Sequence, residues 1–155
     1  MSDSSPIDPA RRSRHRIQQI DAMISDGMER VGVPVLRFTI ATVFIWFGAL
    51  KVVDRSPAGD LVAATVYLVS PELFVPILGL WEIVIGLCFL YRPLLRLGIL
   101  LLFLQLPGTF LPLLLLPDVA FYTFPTVLTM EGQYIVKNLV IIGAALVIGG
   151  TVRKQ

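Results

Sequence analysis

Four long apolar runs, separated by segments rich in charge or proline, set the pattern of this chain: residues 35–53, 73–91, 94–116 and 134–152. A helix rises 1.5 Å per residue and about 20 residues cross a hydrocarbon core, so each run is long enough for one passage. The pattern predicts an all-α polytopic membrane protein, a bundle of four transmembrane helices. Two parts are expected. Residues 1–34 form a polar tail and a juxtamembrane amphipathic helix, and residues 35–152 form the four-helix transmembrane domain.

The segments between the runs refine this picture. Residues 1–16 are polar and rich in Ser, Pro and Arg, a composition that favours disorder. Ile17, Ile20, Ile24, Met28 and Val31 then recur on one helical face, with Gln18, Gln19, Asp21, Asp26 and Glu29 between them. This is the pattern of an amphipathic helix along the inner membrane surface, or of a helical extension of the first span. Pro34 suits the first turn of that span, where its missing N–H costs nothing. Asp54-Arg55-Ser56-Pro57 closes the first run. A short helix over Asp60–Val69, apolar at Leu61, Val62, Val66 and Leu68, is too short to cross and is placed in the outer interface. Ser70-Pro71-Glu72 has the order of cap, N1 proline and first-turn acid that opens a helix. Arg92-Pro93 separates the second and third runs. Pro107 and Pro112 inside the third predict a kink that frees the carbonyls of Phe103 and Gly108. Residues 117–133 read as an outer loop whose Phe121, Tyr122 and Phe124 suit a membrane interface.

Composition supports lipid as the main solvent. Of 155 residues, 55% are hydrophobic and 15% charged, against about 25% charged in soluble domains. Mean hydropathy is +0.79. Arginines 11, 12, 14 and 16 form a basic cluster, but no aromatic or groove-reading motif accompanies it, so nucleic acid is not an expected partner. Beside membrane spans such a cluster marks a cytoplasmic flank. The flanks before span one, between spans two and three (Arg92, Arg96) and after span four (Arg153, Lys154) are basic, whereas the other two connections carry only Arg55. This alternation places both termini in the cytoplasm. The first run is too long for a signal-peptide core, so no cleaved leader is expected. The single cysteine, Cys88, excludes an intrachain disulfide, and the single histidine, His15, lies in the polar tail. No metal site and no intrinsic cofactor are expected.

Ionisable groups inside spans face a bundle interior or a wet cavity and are functional candidates by default. Arg37, Ala41, Phe44, Gly48 and Lys51 follow one another at spacings of four, three, four and three, which is one face of span one. The small residues would admit a second helix closely. Snorkelling of both cations to their nearer interfaces is the plain alternative. Glu82 sits near the middle of span two on a face with Gly79 and Gly86. A carboxylate there must be protonated, paired or hydrated. Span four opens with Glu131, Lys137 and Asn138, and span three carries Gln105. Lys51, Lys137, Glu82 and Glu131 sum to zero charge, so the candidate site is an intramembrane polar cluster of Arg37, Lys51, Glu82, Gln105, Glu131, Lys137 and Asn138. A purely structural ion pair fixing helix register is the competing reading. Trp46 and Trp81 are read as packing or interfacial anchors, and Cys88 as a small buried hydrophobe.

Several of these residues carry a resemblance. Arg37, Phe47-Gly48-Ala49-Leu50-Lys51, Ser70-Pro71, Glu82 and the stretch Glu131-Gly132-Gln133-Tyr134-Ile135-Val136-Lys137-Asn138-Leu139 stand in an order that resembles the DoxX-like superfamily, in particular its YkgB-like inner-membrane branch, over about residues 35–150. The resemblance implies a four-helix membrane bundle in a redox or oxidative-stress setting. Relatives include a small subunit of a thiosulfate:quinone oxidoreductase, partners of oxidative-stress proteins and a maturation factor for a periplasmic dehydrogenase. It does not imply a particular reaction.

The leading expectation is therefore an accessory or anchoring membrane subunit, with lipid and a redox protein as partners and a quinone or lipid bound at the polar cluster. Because the chain has no electron carrier of its own, a stand-alone enzyme is not expected. A small proton-linked transporter, with Glu82 as proton carrier and the Pro107–Pro112 segment as hinge, is the second reading and would require a homo-oligomer. A purely structural membrane subunit is the third.

Overall fold

The computed structural model describes residues 9–57, 59–65 and 70–152, with side chains described from residue 16 onward. The chain is all-α apart from one small hairpin. In order, the elements are α1 (Pro9–Val52), α2 (Gly59–Thr65), α3 (Pro71–Leu90), a 3-10 turn (Arg92–Leu94), α4 (Leu95–Phe110), α5 (Pro112–Leu115), α6 (Pro117–Ala120), strands β1 (Phe121–Thr123) and β2 (Val127–Leu128), α7 (Met130–Val136) and α8 (Asn138–Thr151). Four segments are long and apolar enough to cross a membrane: Arg16–Val52, Pro71–Leu90, Arg92–Leu115 and Met130–Thr151.

The chain divides into two compact units, Met1–Val35 and Leu36–Gln155. In the first, the described residues are helical, and Ile17, Ile20, Ile24, Met28 and Val31 are all exposed along one stripe. Pro34 lies inside α1 rather than at a helix start. The expected first-turn placement is therefore corrected: in a 44-residue helix the proline removes one N–H donor and the backbone bonds on either side carry the helix through, although Gly32, Val33 and Val35 beside it are weak helix formers.

In the second unit the end of α1 is set by backbone geometry. Asp54 takes a left-handed conformation (φ 54°). Its N–H bonds the Lys51 carbonyl at 3.3 Å, and the Arg55 N–H reaches back to the Leu50 carbonyl at 2.8 Å. This pair of bonds is a Schellman closure, with aspartate where glycine is usual. Helix α2 begins as expected, but Val66, Leu68 and Val69 of the anticipated helix lie outside the described residues. At α3, Ser70 has an extended backbone and Pro71 opens the helix, as the sequence suggested, but the serine side chain makes no cap bond. Instead its carbonyl accepts the Leu73 and Phe74 N–H groups.

Of the two prolines expected to disturb the third span, only Pro112 coincides with an interruption. Helix α4 continues through Pro107 to Phe110, and the interruption comes at Leu111, immediately before Pro112. The connection after the third span contains regular structure. Within it, α6 leads into the β1–β2 hairpin, which pairs Phe121 with Leu128 and Thr123 with Val127. Thr129 caps α7 by accepting the Gly132 N–H at 3.1 Å, and its hydroxyl donates to the Val119 carbonyl at 2.6 Å. An added Cβ at Gly132 would collide with the Ala120 carbonyl oxygen, so only glycine lets α7 sit on the end of α6. The fourth span is two helices, α7 and α8, joined at Lys137.

The spans are apolar outside, and inside they combine large apolar side chains with glycines and a few polar groups. On α3, Leu73, Ile77, Leu80, Val84 and Leu87 are exposed, whereas Val75, Gly79, Glu82, Ile85, Gly86 and Phe89 are buried. A helix apolar on its exposed face as well as its buried one suits a hydrocarbon solvent, where apolar surface needs no cover.

Candidate functional site

The buried polar residues of α1 and α3 meet because glycines let these helices touch backbone to backbone. An added Cβ at Gly48 would stand 2.5 Å from the Gly79 carbonyl oxygen, and one at Gly79 would stand 2.6 Å from the Gly48 carbonyl oxygen. Two turns along, a Cβ at Gly86 would meet the Ala41 carbonyl oxygen at 2.8 Å. The face of α1 anticipated from spacing is the face that packs: Ala41, Phe44, Gly48 and Lys51 are all buried.

This close approach delivers Lys51 to Glu82. Lys51 Nζ donates to Glu82 Oε2 at 2.7 Å, with side chains 7% and 10% exposed. From α4, Gln105 Nε2 donates to the other carboxylate oxygen, Oε1, at 2.8 Å. Glu82 thus ties three helices together. The lysine and the amide together give each carboxylate oxygen a donor. Gln105 Oε1 is buried and meets no donor among the described residues. It is the one unsatisfied acceptor of the triad, and buried polar groups ordinarily find a partner.

The remaining members of the anticipated cluster lie elsewhere. Arg37, on the same face of α1, instead clasps the end of α3. Its Nε and Nη2 donate to the Phe89 carbonyl at 3.2 and 3.0 Å, and Nη2 donates to the Leu90 carbonyl at 3.2 Å. The last carbonyls of a helix have no partner within it and carry partial negative charge, so a guanidinium fork there supplies both donors and charge. Glu131 is exposed in the first turn of α7. Lys137 is exposed, with Nζ 4.9 Å from the centre of the Tyr134 ring. Asn138 turns back on its own helix and donates to the Tyr134 and Ile135 carbonyls at 3.1 Å. The anticipated seven-residue cluster is therefore corrected to a triad. The neutral sum of four charges is coincidental, because the turn at Lys137 leaves Glu131 and Lys137 exposed and nothing draws them inward. Sequence reasoning also missed Thr129, whose signal was a Thr placed just ahead of Glu131 and Gly132.

As a ligand site the triad offers an acceptor atom rather than a ring-sized opening, since Lys51 is 6% and Glu82 7% exposed. It fits the hydroxyl of a donor molecule better than a whole ring. Among the described residues there is no group of His, Cys, Asp and Glu that could hold a metal ion. No family model, curated protein or solved structure matches this chain.

Proposed function

We propose that this chain is a DoxX-like four-helix membrane bundle that serves as an accessory or anchoring subunit of a membrane redox or stress-response system. It sits in an inner cell membrane of bacterial type with both termini in the cytoplasm, its amphipathic segment lies along the inner surface, and α2 lies in the outer interface. The observation that carries the reading is the closed Lys51–Glu82–Gln105 triad. Its charges are neutralised and engaged in helix–helix bonds, which favours a fixed scaffold over a centre that turns over substrate. The unpaired Gln105 Oε1 is where the hydroxyl of a reduced quinone, or a water, would dock. Any electron transfer would belong to the quinone and a partner protein.

The test is gentle purification of the full chain from its native membrane, with identification of associated proteins and extractable quinones. Recovery with a redox protein supports the reading, and recovery of the chain alone without quinone overturns it. The proton-linked transporter is favoured by one observation, the helix interruption at Leu111–Pro112 beyond Gln105. It requires proton or solute flux in liposomes that Glu82→Gln abolishes.

A further inference from the structure

Apart from the triad, α4 and α8 leave a groove between them at the end that carries Arg92 and Arg96. Its volume is about 390 Å³, and Arg96, Ile99, Gly149 and Val152 line it. The groove is shallow and mostly open to its surroundings. Gly149 gives α8 no side chain at this point. A Cβ there would stand 3.5 Å from Ile99 Cδ1, an ordinary contact, so packing does not force the glycine and a larger residue would enter the groove.

The Arg96 guanidinium is exposed and meets neither a carboxylate nor a hydrogen-bond acceptor among the described residues. The acids nearest to it in sequence are already used or distant: Glu82 is paired with Lys51, and Asp118 lies beyond the far end of α4. The groove thus combines a cation that has no partner among the described residues with aliphatic walls. It also adjoins the exposed apolar surfaces of α4 (Leu97, Leu100) and α8 (Leu146, Val147). A free anion has no use for such walls. A lipid has an anionic headgroup for the arginine and chains for Ile99 and Val152.

We propose that this groove binds one anionic phospholipid, with its phosphate on Arg96 and an acyl chain against Ile99, Gly149 and Val152. The proposal rests on the membrane reading of the chain. The experiment uses the full chain, purified in detergent and stripped of lipid, with lipid retention read by native mass spectrometry. The probes are phosphatidylglycerol and phosphatidylcholine with identical chains, and inorganic phosphate as competitor. Wild type retains one phosphatidylglycerol in preference to phosphatidylcholine, and phosphate does not displace it. Arg96→Gln weakens phosphatidylglycerol about fivefold and removes the preference. Gly149→Leu weakens both lipids with the arginine intact. Equal retention of the two lipids, displacement by phosphate, or an Arg96→Gln variant that loses thermal stability without losing lipid preference overturns the proposal. Resistance of the chain to alkaline extraction from membranes reports separately on the membrane reading.

Discussion

At the scale of single residues, the triad has an asymmetry that mutagenesis can expose. Removing one member of a buried ion pair leaves a charge without its partner and costs about 3–5 kcal/mol, whereas replacing both with apolar groups is close to neutral. Glu82→Gln and Lys51→Met should each lower the melting temperature of the purified protein strongly. The double variant Lys51→Met/Glu82→Met should recover part of the loss, and adding Gln105→Leu, which removes the amide left without its acceptor, should recover more. Equal and additive losses would show that the pair is not coupled. Glycines offer a parallel contrast. Gly143 has nothing within 4 Å of an added Cβ, so Gly143→Ala should be neutral or stabilising by up to about 1 kcal/mol in helix propensity. Gly86→Leu, pressed against Ile45 and the Ala41 carbonyl, should lose about 1–3 kcal/mol or more through overpacking. The triad was partly legible in advance. Lys51 shares a face with small residues, and Glu82 has nowhere to snorkel. The sequence could not show that Glu131 and Lys137 would stay outside, because neutrality of summed charge carries no distance.

At the scale of elements, helix ends are where local chemistry decides the outcome. Arg37 answers two terminal carbonyls of α3. Arg37→Gln should therefore fray that end, seen as faster amide exchange in the last turn of α3. Lysine should rescue only in part, since it keeps the charge and loses the planar fork. At the close of α1, Asp54 holds the left-handed position that glycine takes at no steric cost. Asp54→Gly should raise the melting temperature, and a fall would mean that the carboxylate makes an interaction that outweighs the backbone strain. The four long apolar segments and the start at Pro71 were readable because hydrophobic length and the Ser-Pro-Glu order are local signals. The passage of α4 through Pro107 and the hairpin after α6 were not. A proline can be accommodated inside a helix, and a three-residue strand needs a partner that only the fold supplies.

At the scale of the whole molecule, apolar exposure is the dominant feature of the second unit. Trp46, Leu73, Leu80, Leu114 and Val140 are all more than half exposed. In water this would drive aggregation, whereas in a bilayer it is the solvent-matched surface. The chain should stay with membranes through alkaline extraction and precipitate when detergent is removed. Cys88, the only cysteine and 3% exposed, should resist maleimide labelling in detergent and react on denaturation. Cysteines placed instead in the polar tail and in the hairpin should label from opposite faces of the membrane if the basic flanks set the orientation.

The paired glycines between α1 and α3 have a consequence for how this chain can vary. Gly48 and Gly79 each fill the space that a methyl group on the other would need. Since neither can shrink further, growth at one position has no compensating change at its counterpart. A saturation scan should therefore find two intolerant positions with no second-site rescue between them. The lysine–glutamate pair one turn away should behave in the opposite way, with simultaneous replacement tolerated better than single replacement.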